Sequence, residues 1–201
     1  DADYAPVALR FALEQHGGEI LWQADPITFI KAHKNTVELE GYRDSHRQEG
    51  AAWVNFLAWL AEEVPARDAA GNPLTELEAQ AGQLTFRQQQ PGVIQQSFST
   101  ISASASNAAM CHYHSSEASN TAIGLANFYL NDSGGQYQNG TTDATRTPSF
   151  GPLSAGPKPH YTSGLNGFLS LLTLHSPSAT PGPPLDGFSL RALWCLGLDF
   201  Y

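Results

Sequence analysis

Residues 127–147 read NFYLNDSGGQYQNGTTDATRT, and this stretch decides the fold. Residues 127–132 and 141–147 are β-prone runs separated by Gly134-Gly135 and Asn139-Gly140, which read as turns, Asn-Gly being a strong hairpin former. Folded back as a hairpin, the stretch brings Asp132 and Asp143 to one place. Two carboxylates in close company cannot both stay ionised without a compensating cation, and a hard divalent metal is the natural partner for such oxygen donors. The plainer alternative is that each aspartate caps its own turn backbone.

Immediately upstream, residues 95–104 and 108–113 read as two further strands, giving four in all. His112 and His114 flank Tyr113, and on a strand the alternation of side chains would point both imidazoles to one face. A zinc pair is the minor reading of these histidines, because a zinc site takes at least three protein ligands. One site histidine beside one ordinary polar histidine is the other.

Before the sheet the pattern is helical. Asn35 and Glu38 have the spacing of a capping box, and no Pro interrupts the helical pattern as far as Val64. Trp53, Phe56, Leu57 and Leu60 fall on one stripe, read as core packing, with Arg43, Arg47, Gln48 and Glu62 on the wet side. Gly71-Asn72-Pro73 breaks the chain, and Thr75 with Glu78 repeats the capping box for a helix ending near Gln89. Residues 1–33 read as a short helix over 6–15 stopped by Gly17-Gly18, a strand-like 19–23 and a turn at Asp25-Pro26. Beyond Pro148 come an apolar stretch over 165–174 and a helical pattern over 185–196, joined by the connector 177–184.

The 201 residues and 21.6 kDa suit one domain with a sizeable core. Ten Lys and Arg against nineteen Asp and Glu leave a formal charge of −9, which argues against a nucleic-acid surface. No apolar run is long enough to span a membrane. Cys111 and Cys195 stand apart without metal spacing and read as two partly buried thiols of a reducing compartment, the cytoplasm. Nucleophile-elbow, dinucleotide-binding, P-loop and His-Glu-x-x-His motifs are absent.

Residues 127–147 closely resemble the metal-binding hairpin of the Xaa-Pro aminopeptidases, the pita-bread metallopeptidases. Residues 98–120, FSTISASASNAAMCHYHSSEASN, resemble the family's strand pair and site histidine. Residues 34–60, KNTVELEGYRDSHRQEGAAWVNFLAWL, and 185–201, LDGFSLRALWCLGLDFY, look like two of its helices. The resemblance implies an α+β pita-bread fold in part, an antiparallel sheet flanked by long helices. On this view residues 1–33 are the tail of a preceding N-terminal domain or linker, and 34–201 the N-terminal half of a catalytic domain.

The implied activity is that of a metallo-exopeptidase that removes the N-terminal residue preceding proline, with two divalent ions, manganese first and zinc or cobalt as alternatives. Carried over by residue, Asp132 and Asp143 match metal ligands, and His112 matches the catalytic, substrate-binding histidine that stabilises the intermediate. The implied partner is a peptide with proline at its second position, without nucleic acid or membrane, and a homodimer is compatible with the family. The family's remaining ligands, one histidine in a His-Gly-rich motif and two glutamates, are expected beyond Tyr201, so activity is expected of a longer parent and little or none of this chain alone. Residues 148–184 keep the family's spacing but lack the charges expected on a surface helix, with Gly164, Asn166, Gly167 and Ser170 in place of larger polar residues. The rival reading is a catalytically inactive module of the same fold that offers a peptide- or protein-binding surface.

Overall fold

Two capping boxes set the frame of the computed structural model, which describes residues 4–178 and 180–199. The Asn35 side chain accepts the Glu38 N–H while the Glu38 carboxylate accepts the Asn35 N–H, opening α3 (Thr36–Ala69). Thr75 and Glu78 do the same for α4 (Glu76–Gln88). Two shorter helices precede them, α1 (Val7–Gln15) and α2 (Pro26–Ala32), neither with a buried residue.

Three expectations for this half change. Residues 19–23 form no strand, since no neighbouring strand among the described residues takes up their backbone groups. Asp25-Pro26 is not a turn: Asp25 accepts the Ile27 N–H as N-cap and Pro26 opens α2, a position where the missing proline N–H costs nothing. Nor does α3 stop at Val64. It continues through Pro65, because Leu60 and Val64, both fully buried, pin that last stretch into the core.

The stripe on α3 packs as read. Trp53, Phe56, Leu60 and Val64 join Leu74, Ala79, Ile123 and Tyr129 in the main core, with Leu57 and Trp59 at its margin. On the opposite side Arg43, Arg47 and Glu62 are exposed, while Gln48 is half-buried.

Five short strands follow among the described residues: β1 (Val93–Gln96), β2 (Ile101–Ser104), β3 (Tyr129–Ser133), β4 (Gly135–Tyr137) and β5 (Ala144–Arg146). They form two antiparallel sheets, β1 with β4 and β2-β3-β5. The expected single strand over 95–104 is therefore two, because residues 97–100 carry the chain from one partner to the other, the Ser97 N–H donating to the Gly134 carbonyl at 3.0 Å. The expected strand over 108–113 is absent, replaced by a 3-10 helix (Ala105–Ala109) and a turn, in which the Met110 and Tyr113 N–H groups donate to the nearby Asn107 and Met110 carbonyls instead of to a strand neighbour.

Gly134-Gly135 is likewise no turn. The chain passes from β3 through Gly134 into β4 without a turn, and a Cβ at Gly134 would overlap the Thr142 carbonyl of the segment that leads into β5. The reversal lies at Gln138-Asn139, closed by the Tyr137 N–H donating to the Gly140 carbonyl at 2.8 Å.

Downstream, α5 (Pro157–Leu172) and α6 (Gly182–Trp194) pack on each other. Gly167, where a larger polar residue was expected, is the close-contact point, for a Cβ there would overlap the Ser189 carbonyl. Cys111 and Cys195 are exposed, not partly buried, because one sits in a surface turn and the other follows the last turn of α6. Ala179 of the expected connector, and Phe200 and Tyr201 at the end of the stretch 185–201, lie outside the described residues. No helix among the described residues is long and apolar enough to cross a membrane.

The capping box of α4 carries a pH dependence. Burial acts to raise the Glu78 carboxyl, but the Thr75 N–H, the Arg67 side chain and the Thr75 hydroxyl outweigh it and hold the group below its ordinary value. A carboxyl with a lowered folded value contributes stability that is present in full above the ordinary glutamate range and is lost as pH falls through the folded value. The urea midpoint should fall on acidification through that window, and Glu78→Gln should flatten the fall; an unchanged slope would remove Glu78 from the account.

Candidate metal centre

Alternation along β3 sends its residues to two different faces. Tyr129, Asn131 and Ser133 are buried toward α3 and α4, and Leu130 and Asp132 face the other way. Asp132 sits opposite Ile101 of β2 and Thr145 of β5, so the residue just before β5, Asp143, comes up beside it. The two aspartates meet through antiparallel pairing of β3 with β5, as the hairpin reading required.

Asp132 and Asp143 line one cleft of about 390 Å³ together with His112, His114, Phe98, Ser99 and Ile101. Burial pushes the Asp132 carboxyl above its ordinary value, and the charge of Asp143 acts in the same direction, while the Thr145 hydroxyl and His112 pull against it. Asp132 Oδ1 is shut off from solvent and accepts no hydrogen bond. An orphaned carboxylate oxygen beside a second carboxylate fits a hard divalent cation, which would reverse the electrostatic cost of the pair. The fit is that of two ligands: among the described residues no three His, Cys, Asp or Glu side chains converge closely enough to hold a metal ion.

His112 reaches the cleft by a route unlike the one expected. It lies in a turn, not a strand, with φ of 54°, so the argument that alternation puts His112 and His114 on one side lapses. Both line the cleft nonetheless.

Behind β3 lies a buried network that the sequence did not disclose. Arg87 Nη2 donates to Glu49 Oε1 at 2.7 Å and to Ser133 Oγ at 2.9 Å, and Arg87 Nε donates to the same carboxylate at 3.1 Å. Tyr137 donates its hydroxyl to Glu49 Oε2 at 2.8 Å, and Gln83 Nε2 donates to Ser133 Oγ at 2.6 Å. Burial first, and then the adjacent Glu49, raise the Tyr137 phenol, keeping it a donor. The network ties α3 and α4 to Ser133, the residue next to Asp132. An Arg at the end of one helix and a Glu in the middle of another carry no spacing that links them.

The profile of Metallopeptidase family M24 matches residues 40–199. Aminopeptidase P2 of Arabidopsis thaliana is 41% identical over 180 residues, which are 90% of this chain and 25% of that protein. The crystal structure of an X-prolyl aminopeptidase from Caenorhabditis elegans, described as a cytosolic enzyme with a di-nuclear active site, superposes with a TM-score of 0.81 at 36% identity, over 88% of this chain and 28% of that one. An Xaa-Pro dipeptidase from Bacillus anthracis superposes with a TM-score of 0.77 over 98% of this chain and 52% of its own, and at 20% identity it speaks for the fold alone. The chain therefore spans about a quarter of the length of these aminopeptidase relatives, and its α+β architecture is part of the pita-bread fold.

Proposed function

The chain belongs to metallopeptidase family M24, and from that premise we propose that it supplies part of the centre of a metal-dependent aminopeptidase that releases the N-terminal residue preceding proline. The observation that carries the reading is the meeting of Asp132 and Asp143 in one cleft with His112, one oxygen of Asp132 being buried without a donor. Asp132 and Asp143 are the metal ligands, and the ions they serve are two divalent cations, manganese first, with zinc and cobalt suited to the same donors. When bound, such ions supply Lewis-acid polarisation of the scissile carbonyl. His112 binds the substrate by hydrogen-bonding its carbonyl, and keeps that bond as negative charge grows on the oxygen.

The substrate is a peptide with proline at its second position, in keeping with the names of the relatives. The reaction as a whole belongs to a longer protein, in which 34–201 is the N-terminal half of the catalytic domain and 1–33 the tail of a preceding domain or linker. Its compartment is the cytoplasm, supported by the cytosolic C. elegans relative.

The test is an assay of the natural protein on a peptide of this kind. Release of the first residue should stop on chelation, return with manganese, and be absent from Asp132→Asn despite an intact fold. A chelator-insensitive rate, or full activity of Asp132→Asn, would overturn the reading. Peptide binding indifferent to chelator, without turnover, would instead support an inactive module that holds peptides.

A further inference from the structure

The segment between β2 and β3 carries His112, and it is fastened by a carboxylate that the proposed chemistry does not use. Glu76, the first residue of α4, is fully buried. Its Oε1 accepts the Ser104 N–H at 2.6 Å and the Asn107 side-chain amide at 3.0 Å. Its Oε2 accepts the Tyr113 hydroxyl at 2.9 Å and the Thr121 N–H at 3.2 Å. All four donors belong to the stretch 104–121, and no Lys or Arg among the described residues forms an ion pair with Glu76. A buried carboxylate without a cation persists only when donors surround it, and the first turn of a helix adds favourable backbone dipoles.

Tyr113 is the link from this carboxylate to the cleft. Its side chain is buried with Ile101 and Ala103, and Ser119 Oγ lies 3.0 Å from its hydroxyl. Burial pushes its phenol up and the Glu76 charge acts the same way, so it remains a donor. The preceding residue, His112, holds a left-handed backbone (φ of 54°) that a non-glycine residue keeps only when its surroundings impose it. Three successive residues thus run from an exposed Cys111 through a strained His112 to a clamped Tyr113.

We propose that Glu76 and Tyr113 are positioning residues for His112: the Glu76–Tyr113 hydrogen bond fixes the turn in the conformation that presents the His112 imidazole to Asp132 and Asp143. The proposal rests on the role given to that cleft above. Loss of the clamp lets the turn relax to an ordinary backbone and swing the imidazole away, while both aspartates, held by strand pairing, stay in place.

Nuclear magnetic resonance on the natural protein, with its histidines and aspartates isotopically labelled, tests this with Tyr113→Phe, which removes one hydroxyl and keeps the ring buried, and with Glu76→Gln, which keeps the shape. Substoichiometric manganese should broaden the His112 ring together with the amides of Asp132 and Asp143 in the parent chain. In either variant the amide broadening should persist and the His112 broadening should fall several-fold, with loss of Overhauser contacts from the His112 ring to cleft side chains. Equal His112 broadening in parent and variants, or a loss of stability with those contacts kept, would overturn the proposal and leave Glu76 a structural tie. If manganese broadens no cleft resonance in the parent, the metal reading fails by itself; the Overhauser contacts then decide, their retention in Tyr113→Phe overturning the clamp and their loss upholding it.

Discussion

Arg87→Met is expected to cost about 3–5 kcal/mol of folding free energy, the usual penalty for removing one partner of a buried ion pair. Arg87 and Glu49 are 1% and 3% exposed. Without the guanidinium, the Glu49 carboxylate keeps only Tyr137 among its described side-chain donors, and Ser133 loses the donor from Arg87. Glu49→Gln in the Arg87→Met background should recover much of the loss, since no unpaired charge then stays buried. Urea unfolding of the two single variants and the double variant measures both effects. A cost for Arg87→Met below about 1 kcal/mol, the range of ordinary substitutions, would contradict the network's structural role.

Gly134→Ala should do most of its damage at the site. The added methyl would overlap the Thr142 carbonyl and Ser97 Oγ, and Thr142 lies next to Asp143 as Gly134 lies two residues from Asp132. Relief requires the segment around Thr142, which leads into β5, to move away, at a cost of about 1–3 kcal/mol or more for overpacking a tight contact. That movement separates the carboxylates, so manganese binding should weaken by more than the urea midpoint shifts. Calorimetric titration beside urea unfolding reads the two effects, and unchanged affinity with unchanged stability would show that the contact yields without strain.

Much of this architecture is legible in the sequence because its causes are local. Asn35 with Glu38 and Thr75 with Glu78 open helices by bonds three residues apart, and the Trp53-to-Leu60 stripe faces the core because helical spacing leaves it no alternative. Asp132 and Asp143 are legible for a related reason, as the hairpin joining them is short. What stayed hidden depends on distant partners. The stretch after β2 has β-prone residues, yet the Glu76 carboxylate, 37 residues before Tyr113, takes the Tyr113 hydroxyl while the Tyr113 N–H closes a local turn onto Met110. Glu49 and Arg87 are 38 residues apart and meet only when two helices pack. Gly134 reads as a turn glycine because its need for close approach is set by Thr142, in the segment that leads into β5.

The most direct test of the proposed metal centre is manganese binding to the natural protein followed by electron paramagnetic resonance, alongside Asp132→Asn and Asp143→Asn. A bound-ion spectrum is expected in the parent and free manganese in both variants, with the fold of each variant intact. A bound-ion spectrum that persists unchanged in both variants would contradict it.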